Sequence, residues 1–496
     1  MSLGETLQRL SPELILLFTG LAVLCVDLIW RNEERKTIWV PSLALIGLTV
    51  ALAATILLWN TPPSPVLALM TVDPFALFFK IVAIATVMLV ILAAVPYLQG
   101  RTPYRGEFYA LLIFAGLAIS LASSGIDLIS IYLAMEFLSI TSYVLAGYLR
   151  GDQKSSEAGI KYFLYGAVTS AAMLYGMSLL YGLTGTTSLA GIAQTLKNSD
   201  PTAQWLAVAA IVPLLAGFGF KIVLAPFHQW APDTYEGAPT PITAFLSVGS
   251  KAAGFAILMR VLFTGLLAFR WNLGWMAFLI ALSILSMILG NVIALRQTNI
   301  KRMLAYSSIG QAGYIVIGVI CLAMNVNNVF LGMNGTLFYL FAYLFTNLAA
   351  FSAVIAVETA TGSTEIADYR GLVRRAPVVA AVLLIALLSL AGVPGTGGFL
   401  GKFLVFGAAI QLNTAQTLSV AIIGIVTSVI SAFYYLNVVR FMFFESADEK
   451  AAPIVLPTGI KMGLLLTAVA ILVIGLYPQP FIELATHSIG MLAAGF

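Results

Sequence analysis

Long apolar runs, separated by short polar segments, follow one another along the whole chain. A helix needs about 20 apolar residues to cross the hydrocarbon core of a bilayer. Fourteen runs meet this requirement, and they lie near residues 12–30, 38–59, 74–97, 107–124, 126–149, 157–183, 203–231, 240–264, 273–295, 301–323, 332–358, 376–411, 415–443 and 459–484. The pattern therefore predicts an all-α polytopic membrane protein with about fourteen transmembrane helices.

The basic residues of the loops alternate with the predicted spans. Loops after even-numbered spans carry only Lys197, Arg260 and Arg270. Loops after odd-numbered spans carry seventeen: Arg31, Arg35, Lys36, Arg101, Arg105, Arg150, Lys154, Lys161, Arg296, Lys301, Arg302, Arg370, Arg374, Arg375, Arg440, Lys450 and Lys461. Because basic loops stay on the cytoplasmic side, the odd-numbered loops are expected there and both termini on the opposite side.

Composition supports a membrane location and gives no sign of a redox centre. The chain is 60% hydrophobic and only 9% charged, against about 25% charged residues in a soluble protein. Cys25 and Cys321 cannot supply the four thiolates of an iron–sulfur cluster. His228 and His487 are far apart in sequence, so a haem with two histidine ligands is possible only in principle. No dinucleotide-binding or P-loop glycine pattern occurs, so no cofactor or metal is expected in this chain. The first apolar run lacks a basic segment and a cleavage site, and is expected to be a permanent span.

Four lysines fall inside predicted spans, where a charge is costly. A lysine at the centre of a transmembrane helix costs at least roughly 2.5–3.5 kcal/mol, and such residues are usually functional. Lys80 lies close enough to the start of its span for its side chain to be expected to extend outward to the interface. Lys221, Lys251 and Lys402 have no such route. Glu136 lies ten residues into span five, about 15 Å deep.

Two predicted spans are too long and contain helix-breaking residues. Span seven (203–231) contains two prolines and two glycines between 213 and 226, and span twelve (376–411) contains a Gly- and Pro-rich segment at 392–398. Broken helices are typical of ion pathways in transporters. Gly217 to Lys221 and Gly398 to Lys402 share the pattern Gly-Phe-x-x-Lys five spans apart, which predicts an inverted repeat. We therefore expect helices 1–3 in residues 1–106, a first repeat in 107–264, a second in 265–443 and a C-terminal helix in 444–496.

The buried charges suggest proton transfer. Two opposite charges 4 Å apart interact by roughly 4 kcal/mol at an effective dielectric constant of 20. A Glu–Lys pair whose separation changes would therefore bind and release a proton. Our hypothesis is that Glu136 modulates Lys221, and that protons pass from Lys221 through Lys251 to Lys402. The alternative is a set of static ion pairs that hold helices together.

Polar residues near these charges allow two interpretations each. His228 could relay protons to water or make a structural hydrogen bond to loop backbone. Asp233 and Glu236 are expected at a turn outside the membrane. Several hydroxyl and amide side chains could support water chains or could be ordinary helix packing: Thr243, Ser247, Ser250, Tyr306, Ser307, Ser308 and Gln311.

Two stretches carry a family resemblance. Residues 225–251, APFHQWAPDTYEGAPTPITAFLSVGSK, and residues 301–310, KRMLAYSSIG, closely resemble the antiporter-like membrane subunits of complex I. The resemblance covers essentially all fourteen spans and is strongest to the N-type branch, which includes subunit 2 of the mitochondrial enzyme and its counterpart in the cyanobacterial and chloroplast enzyme. The M-type branch typically has glutamate where Lys402 stands. The family pattern of a glutamate in helix five and lysines in helices seven, eight and twelve matches Glu136, Lys221, Lys251 and Lys402.

The resemblance implies a function that spacing alone does not. It implies a membrane-arm subunit that translocates protons, coupled to electron transfer to quinone in other subunits. Quinone, iron–sulfur clusters and flavin would belong to partner subunits, and the neighbours would be other antiporter-like and small membrane subunits in a cell inner membrane or thylakoid membrane. By the same analogy Lys402 would face a neighbour or the exit half-channel. The alternatives are a subunit of a multisubunit Na⁺/H⁺ antiporter without redox coupling, and a membrane scaffold with inert ion pairs.

Overall fold

The structure is a computed structural model that describes residues 2–30, 33–266, 273–324, 329–446 and 453–493. Three of the loop cations used to predict the topology, Arg31, Arg270 and Lys450, lie outside these residues. Within the described ranges the chain forms twenty-one α-helices: α1 Leu3–Arg9, α2 Ser11–Ile29, α3 Glu33–Leu57, α4 Pro74–Leu98, α5 Arg105–Ser124, α6 Leu128–Ala146, α7 Gln153–Thr184, α8 Leu189–Lys197, α9 Pro201–Ile222, α10 Trp230–Gly237, α11 Thr240–Phe245, α12 Lys251–Arg260, α13 Leu273–Ala294, α14 Ile300–Met324, α15 Val329–Thr361, α16 Leu372–Arg375, α17 Pro377–Ala391, α18 Gly397–Leu412, α19 Ala415–Phe444, α20 Thr458–Leu476 and α21 Gln479–Ala493.

Short elements complete the fold. A 3₁₀ turn covers Ile366–Tyr369, and a small hairpin pairs strand β1, Ser64–Val66, with the antiparallel strand β2, Met70–Val72. Leu246–Ser250 and Val261–Gly265 are wound as π-helical turns on either side of α12. Together with α11 they make one continuous helical segment, Thr240–Gly265, which is buried throughout its apolar part.

The predicted class is confirmed. Thirteen helical segments within the described ranges are long and apolar enough to cross a membrane, and α17 and α18 are shorter apolar helices that together occupy predicted span twelve. Several helices begin at an aspartate that satisfies a free backbone N–H of the first turn. The Asp73 carboxylate accepts from Ala76 N at 2.8 Å, and the Asp127 carboxylate accepts from Ile129 N at 2.8 Å.

The long predicted spans are divided by turns. α9 ends at Ile222, a non-helical turn follows, and α10 begins at Trp230. Val223 in that turn has φ 65°, a conformation that a β-branched residue adopts only when its surroundings impose it. Between α17 and α18, Gly392 and Gly395 have φ 90° and 86°, which glycine adopts without steric cost. Predicted span fourteen also ends earlier than expected, at Leu476, and α21 follows it.

The shared Gly-Phe-x-x-Lys pattern does not place its two lysines equivalently. Lys221 is in the last turn of α9, before its break, whereas Lys402 is in the second turn of α18, after its break. The inverted repeat and the division at residues 106, 264 and 443 therefore stay predictions.

Charged residues from several helix ends meet on one face of the bundle. Lys161 donates to Asp233 at 2.6 Å, Arg302 contacts both Asp233 and Glu236, and Lys154 pairs with Glu236 at 3.1 Å. Partial burial alone would raise the pKa of the Asp233 carboxyl, but hydrogen bonds from Lys161 and Arg302 hold that pKa below its usual value. We call these five residues the charged face. All of them come from segments next to odd-numbered predicted loops.

A different pair of charges, Arg260 and Asp73, lies on other helices, next to the β-hairpin. Arg260 was predicted as a loop residue, but it is buried at the end of α12 and contacts the two Asp73 oxygens at 2.5 and 3.0 Å. Arg260 also donates to the carbonyl of Ser123 at 2.9 Å. Arg260 can be buried there because Asp73, just before α4, neutralises its charge. The prediction that Arg260 is a loop residue was therefore wrong.

The expectation for Lys80 was wrong. Its side chain does not extend outward. It is fully buried, and Nζ lies 2.6 Å from Oε1 of Glu13 on α2. Ser120 on α5 donates to the same Glu13 oxygen at 2.7 Å. The position of Lys80 near the start of its helix indicates how deep it lies in the membrane but not where its side chain points. The side chain points inward because Glu13, on another helix, attracts its ammonium group.

Removing one member of the Glu13–Lys80 pair should destabilise the protein. Glu13→Gln leaves a buried ammonium without a countercharge, which costs about 3–5 kcal/mol, whereas Glu13→Gln combined with Lys80→Met removes both charges and should cost much less. The measurement is the melting temperature of the purified protein for the two single variants and the double variant. Single variants as stable as the parent would show that the pair contributes nothing.

Candidate functional site

Three lysines lie in the interior of the bundle on three different helices. Lys221 is on α9, Lys251 on α12 and Lys402 on α18, and they are 2%, 0% and 4% exposed. A hydrocarbon interior offers no water to solvate an ammonium group, so each lysine depends on the protein groups around it. Their surroundings differ, and the differences suggest separate tasks.

Lys221 has the least satisfied environment. Its Nζ has no hydrogen-bond partner within the described part of the chain, and the rings of Tyr143, Tyr162 and Phe220 lie 5.6–6.0 Å from it. Glu136 lines the same small cavity, of about 10 Å³. The two groups share a cavity without forming an ion pair within 4.0 Å among the described residues, and the Glu136 carboxylate instead accepts from Ser170. Glu136 and Lys221 are therefore close enough to interact but are not in contact.

The end of α9 is fixed by aromatic packing. Trp230 stacks on Tyr162 with ring centroids 4.2 Å apart, and its indole N–H donates to the carbonyl of Phe220 at 3.2 Å. Lys221 follows Phe220, at the C-terminal end of a helix, where a positive charge is favoured by the helix dipole. The break after Ile222 therefore places Lys221 at a helix C-terminus, where its positive charge is favoured.

Gly254 brings the Lys251 helix against Lys221. A Cβ atom at this position would lie 2.6 Å from Ile222 Cγ2 and 3.0 Å from Lys221 Cβ, closer than side chains normally approach. The first turn of α12 therefore packs directly on the last turn of α9. This contact places Lys221 and Lys251 on adjoining helix turns.

Several polar side-chain atoms in this region are buried without a protein hydrogen-bond partner in the described ranges. They are Ser142 Oγ, Tyr162 Oη, His228 Nδ1, Tyr235 Oη and Ser250 Oγ. Buried polar groups are usually hydrogen-bonded, and small polar cavities are where proteins hold water. His228 Nδ1 is one of these unpartnered atoms, whereas the imidazole also interacts with the backbone of Pro226 in the same turn. Both interpretations of His228 therefore stay predictions.

Lys251 is fully partnered. Nζ donates to the carbonyl of Ser308 at 2.7 Å and contacts its hydroxyl at 2.5 Å. Tyr343 on α15 donates to the same hydroxyl at 3.1 Å. Lys251 directly follows the π-helical turn Leu246–Ser250, and such turns occur frequently at functional sites.

Helix α14 connects the surroundings of Lys251 to those of Lys402. Ser307, next to Ser308, shares a 2.5 Å hydrogen bond with Tyr435. One turn further, Gln311 Nε2 donates to Tyr435 Oη at 3.4 Å and to the carbonyl of Leu390 at 3.1 Å. Lys402 donates to that same carbonyl at 2.8 Å. Hydrogen bonds thus connect Lys251 with Lys402 except between Ser307 and Ser308, which are neighbours in the sequence.

Lys402 closes the end of a broken helix. Its Nζ donates to the carbonyls of Leu390 and Ala391, the last residues of α17, and to Ser428 Oγ at 2.8 Å. Free carbonyls at a helix C-terminus need such donors. A largely apolar cavity of about 530 Å³ opens beside Lys402 between α18 and α19, where Phe403 and Val429 are exposed. Lys402 therefore lies between the polar line and the outer surface of the bundle.

The prediction of site residues was incomplete. The four charges, Ser307, Ser308 and Gln311 were singled out, but Tyr343, Tyr435, Ser428 and the Leu390 carbonyl were not. No sequence signal distinguishes Tyr435 from the other aromatic residues of an apolar helix. Only the packing of α19 against α14 and α13 gives it a role.

The described residues include no cluster of three or more His, Cys, Asp or Glu side chains that could bind a metal. Around the three lysines the described side chains supply amines, the Glu136 carboxylate, hydroxyls and amides. Such groups can bind and transfer protons.

Comparison with known proteins identifies the class. Residues 125–431, which contain all four charges, match the family described as NADH:quinone oxidoreductase/Mrp antiporter, TM. The protein is thus an antiporter-like membrane protein, and this class includes both redox-linked and non-redox members.

Full-length relatives narrow the class. NADH-quinone oxidoreductase subunit N of Desulfitobacterium hafniense is 42% identical, with 97% of each chain covered. NAD(P)H-quinone oxidoreductase subunit 2 of Gloeobacter violaceus is also 42% identical, over 97% of this chain and 92% of that protein. A chain in the structure of respiratory complex I from Thermus thermophilus is 32% identical, with 96% and 99% of the chains covered and a TM-score of 0.80. This chain belongs to the NADH-quinone oxidoreductase subunit N family.

The contact between α9 and α12 can be tested with alanine. Gly254→Ala should destabilise the protein by about 1–3 kcal/mol, because the new methyl group has no room against Ile222 and Lys221. The matched control is Gly463→Ala on α20, where no atom lies within 4 Å of the added methyl group. Alanine is the better helix former, so the control should gain up to about 1 kcal/mol.

The measurement is the melting temperature of each purified variant. Opposite shifts are expected, downward for Gly254→Ala and level or upward for Gly463→Ala. Equal shifts would contradict the close packing of the two lysine-bearing helices.

Proposed function

We propose that this chain is a membrane-arm subunit of a complex I type quinone oxidoreductase, and that it translocates protons through Glu136, Lys221, Lys251 and Lys402. Electron transfer to quinone takes place in other subunits, and this chain converts part of the released energy into proton movement. Membership of the subunit N family supports the coupling to an oxidoreductase. The buried lysines support the proton chemistry.

One observation carries the site assignment, namely the line of polar contacts from Lys251 to Lys402 through Ser308, Ser307, Tyr435 and Gln311. A polar group in hydrocarbon is costly unless it is hydrogen-bonded. A set of inert ion pairs would need carboxylates beside Lys251 and Lys402, and neither lysine has one within 4.0 Å among the described residues. Their partners are neutral hydroxyls and carbonyls, which accept from an ammonium and leave its charge uncancelled.

The chemistry of a transfer step follows from these partners. A protonated Lys251 donates to the Ser308 hydroxyl, and that hydroxyl can release its own proton onward as it accepts the new one. When Lys251 becomes neutral, Ser308 and the Tyr343 hydroxyl can donate to the free amine instead. Water is needed between the two serines of α14 and between Lys221 and Lys251, where the unpartnered hydroxyls lie.

Glu136 and Lys221 set the charge that drives this line. Bringing the carboxylate from Ser170 to Lys221 would stabilise the ammonium by several kcal/mol, and separating them would release that stabilisation. Lys251 is on the helix turn that packs against the turn carrying Lys221, so its ammonium is repelled when Lys221 is protonated and Glu136 withdraws. His228, at the turn after α9, is placed to exchange protons between this pair and water.

The remaining assignments follow the family. Both termini face the non-cytoplasmic side, the charged face is cytoplasmic, and residues 107–264 and 265–443 are the two inverted repeats. Lys402, beside the outward cavity, faces a neighbouring antiporter-like subunit or the exit half-channel. Quinone, iron–sulfur clusters and flavin are bound by partner subunits.

The second candidate is a subunit of a Na⁺/H⁺ antiporter without redox coupling. The matching family includes such proteins, and the buried charges fit either function. The full-length relatives favour the redox-linked enzyme, since they are quinone oxidoreductase subunits over nearly the whole chain. Purification of the native assembly separates the two candidates, because only the redox-linked enzyme co-purifies with iron–sulfur subunits and shows quinone reductase activity.

Replacing either connected lysine should abolish most proton translocation. Lys251→Met and Lys402→Met keep the side-chain length but remove the proton-binding group, and each should lower protons moved per electron by about tenfold or more, since a lost transfer group adds at least about 1.4 kcal/mol to the barrier. The measurement is acidification of inverted membrane vesicles during quinone reduction. The matched control is the double variant Glu13→Gln, Lys80→Met, which neutralises a buried lysine outside the line. Normal pumping in both lysine variants would refute the site.

The contact through Tyr435 gives a finer test. Tyr435→Phe removes only the hydroxyl between Ser307 and Gln311, and proton translocation should fall by about fivefold, as for the loss of one to two hydrogen bonds. Tyr109→Phe on α5 is the control, because Tyr109 is a buried tyrosine outside this line, beside Asp27 and Lys36. Equal rates in the two variants would exclude Tyr435 from the pathway.

A further inference from the structure

A second row of buried polar contacts leads from Lys251 toward the charged face. It lies between the helical segment Thr240–Gly265 and helix α15, which pack against each other. At its inner end, Tyr343 of α15 donates to the Ser308 hydroxyl that contacts Lys251. In its middle, Asn347 donates to Ser247 at 2.6 Å. At its outer end, the Thr240 hydroxyl donates to the carboxylate of Glu358.

The spacing of these residues shows that they form one seam. Tyr343, Asn347 and Glu358 are 4 and 11 residues apart, which places them on one side of an α-helix. Thr240 and Ser247 are seven residues apart and share a side of the facing segment. Every one of these side chains is buried. The seam extends roughly 16 Å along the helix from Thr240 to Lys251.

Glu358 lies where the seam meets the charged face. Its Oε1 accepts from Tyr97 and from Arg101, each at 3.0 Å. Arg101 is itself partly exposed, and its guanidinium stacks on the Tyr97 ring at 3.9 Å. Lys301, next to the charged-face residue Arg302, donates to the carbonyl of Ala238 two residues before Thr240, and its charge also acts on Glu358. The carboxylate is therefore buried but one side chain away from water.

A purely structural role accounts for only part of this arrangement. An ion pair with Arg101 would fasten α15 to the turn that follows α4 without any polar group deeper in the bundle. Asn347 and Ser247 are almost completely buried, and apolar side chains would pack between these helices at lower cost. Their presence in line with Glu358 and Lys251 calls for a function that uses polar groups.

We infer that Glu358 is the carboxylate through which protons from the charged face enter the seam and reach Lys251. This inference rests on the proposed function, because it supplies the uptake group for the lysine line. Glu136 and Lys221 would then control the transfer from one side, and Glu358 would load Lys251 from the other.

The proton balance of a loading step is simple. A proton from water binds the Glu358 carboxylate, and Arg101, no longer held by a negative charge, turns toward solvent. The neutral acid donates its O–H to Thr240, whose hydroxyl passes a proton inward through water and the Asn347–Ser247 contact. The neutral amine of Lys251 receives a proton and becomes an ammonium, and Glu358, negative again, pairs with Arg101.

The first experiment compares three changes at Glu358 in the assembled complex. Glu358→Gln should lower protons moved per electron by about tenfold, whereas Glu358→Asp, which keeps a carboxylate, should recover at least about half of the parent value. The double variant Arg101→Gln, Glu358→Gln removes both members of the ion pair, so it should assemble and yet remain as inactive as the single variant. Pumping restored in the double variant would show that Glu358 only neutralises Arg101.

Chemical rescue separates a proton carrier from a structural residue. Glu358→Ala opens a space at the charged face, and added formate, a small weak acid, should restore proton translocation by about fivefold or more at pH values near or below neutrality. A structural defect would not respond to formate. No rescue, with the variant fully assembled, would overturn the inference.

The seam itself has a control on the same helix. Asn347→Leu should reduce pumping, whereas Thr346→Val should not, because the neighbouring Thr346 hydroxyl points away from the seam to Ser389. Equal effects of the two changes would exclude the seam. Lys251→Met made in parallel separates the two proposals: if it pumps normally, the proposed function fails, and if it is inactive while Glu358→Gln is normal, only the role of Glu358 fails.

Discussion

The fold depends on how an ammonium group is accommodated in a hydrocarbon interior. The buried cations of the described residues are accommodated in different ways. Lys80 has a carboxylate at contact distance, Arg260 has both oxygens of Asp73, and Lys251 and Lys402 have only neutral oxygens. A charge cancelled by a neighbouring carboxylate is fixed, since removing its proton leaves an unpaired anion. A charge held by hydroxyls and carbonyls can be lost and regained, and this difference separates Lys251 and Lys402 from Lys80 and Arg260.

Helix α14 is the element on which the site depends. It lies between the Lys251 helix on one side and the broken pair α17 and α18 on the other, and within two turns it provides Ser307, Ser308 and Gln311. Helix α15 contributes Tyr343 and Tyr339 to the same network, the latter through a hydrogen bond to Gln311. The lysines are thus connected by hydroxyl and amide groups of helices that carry no buried charge in the middle of the membrane.

Much of the fold could be predicted from hydrophobic length alone, because lipid imposes long apolar helices and the basic loops mark their ends. The buried lysines of the candidate site could be singled out as well, since a charge is costly where Lys221, Lys251 and Lys402 stand. What could not be predicted was direction. Lys80 and Lys402 are each a few residues from the start of a helix. Lys80 forms an ion pair with Glu13 in the interior, whereas Lys402 lies beside a cavity that opens outward.

Ordinary polar residues were the harder part of the site. Tyr435, Ser428 and Asn347 do not stand out in an apolar helix, because hydroxyls and amides often bond to their own backbone there. Glu358 was equally inconspicuous at the end of a span, where acidic residues are usually solvated. Each acquires its role from a partner more than 25 residues away, so tertiary packing is what gives it meaning.

The π-helical turn Leu246–Ser250 has a consequence for how Lys251 changes partners. One additional residue in a helical turn rotates everything beyond it by about 100°. Thr240, before that turn, and Ser247, within it, face α15, and Lys251, immediately after it, faces Ser308 on α14. Winding the same five residues into α geometry would turn the amine away from Ser308 while the helix axis stayed in place. A local change of register would therefore be enough to break and remake the contact between Lys251 and α14, with no rigid-body motion of the bundle.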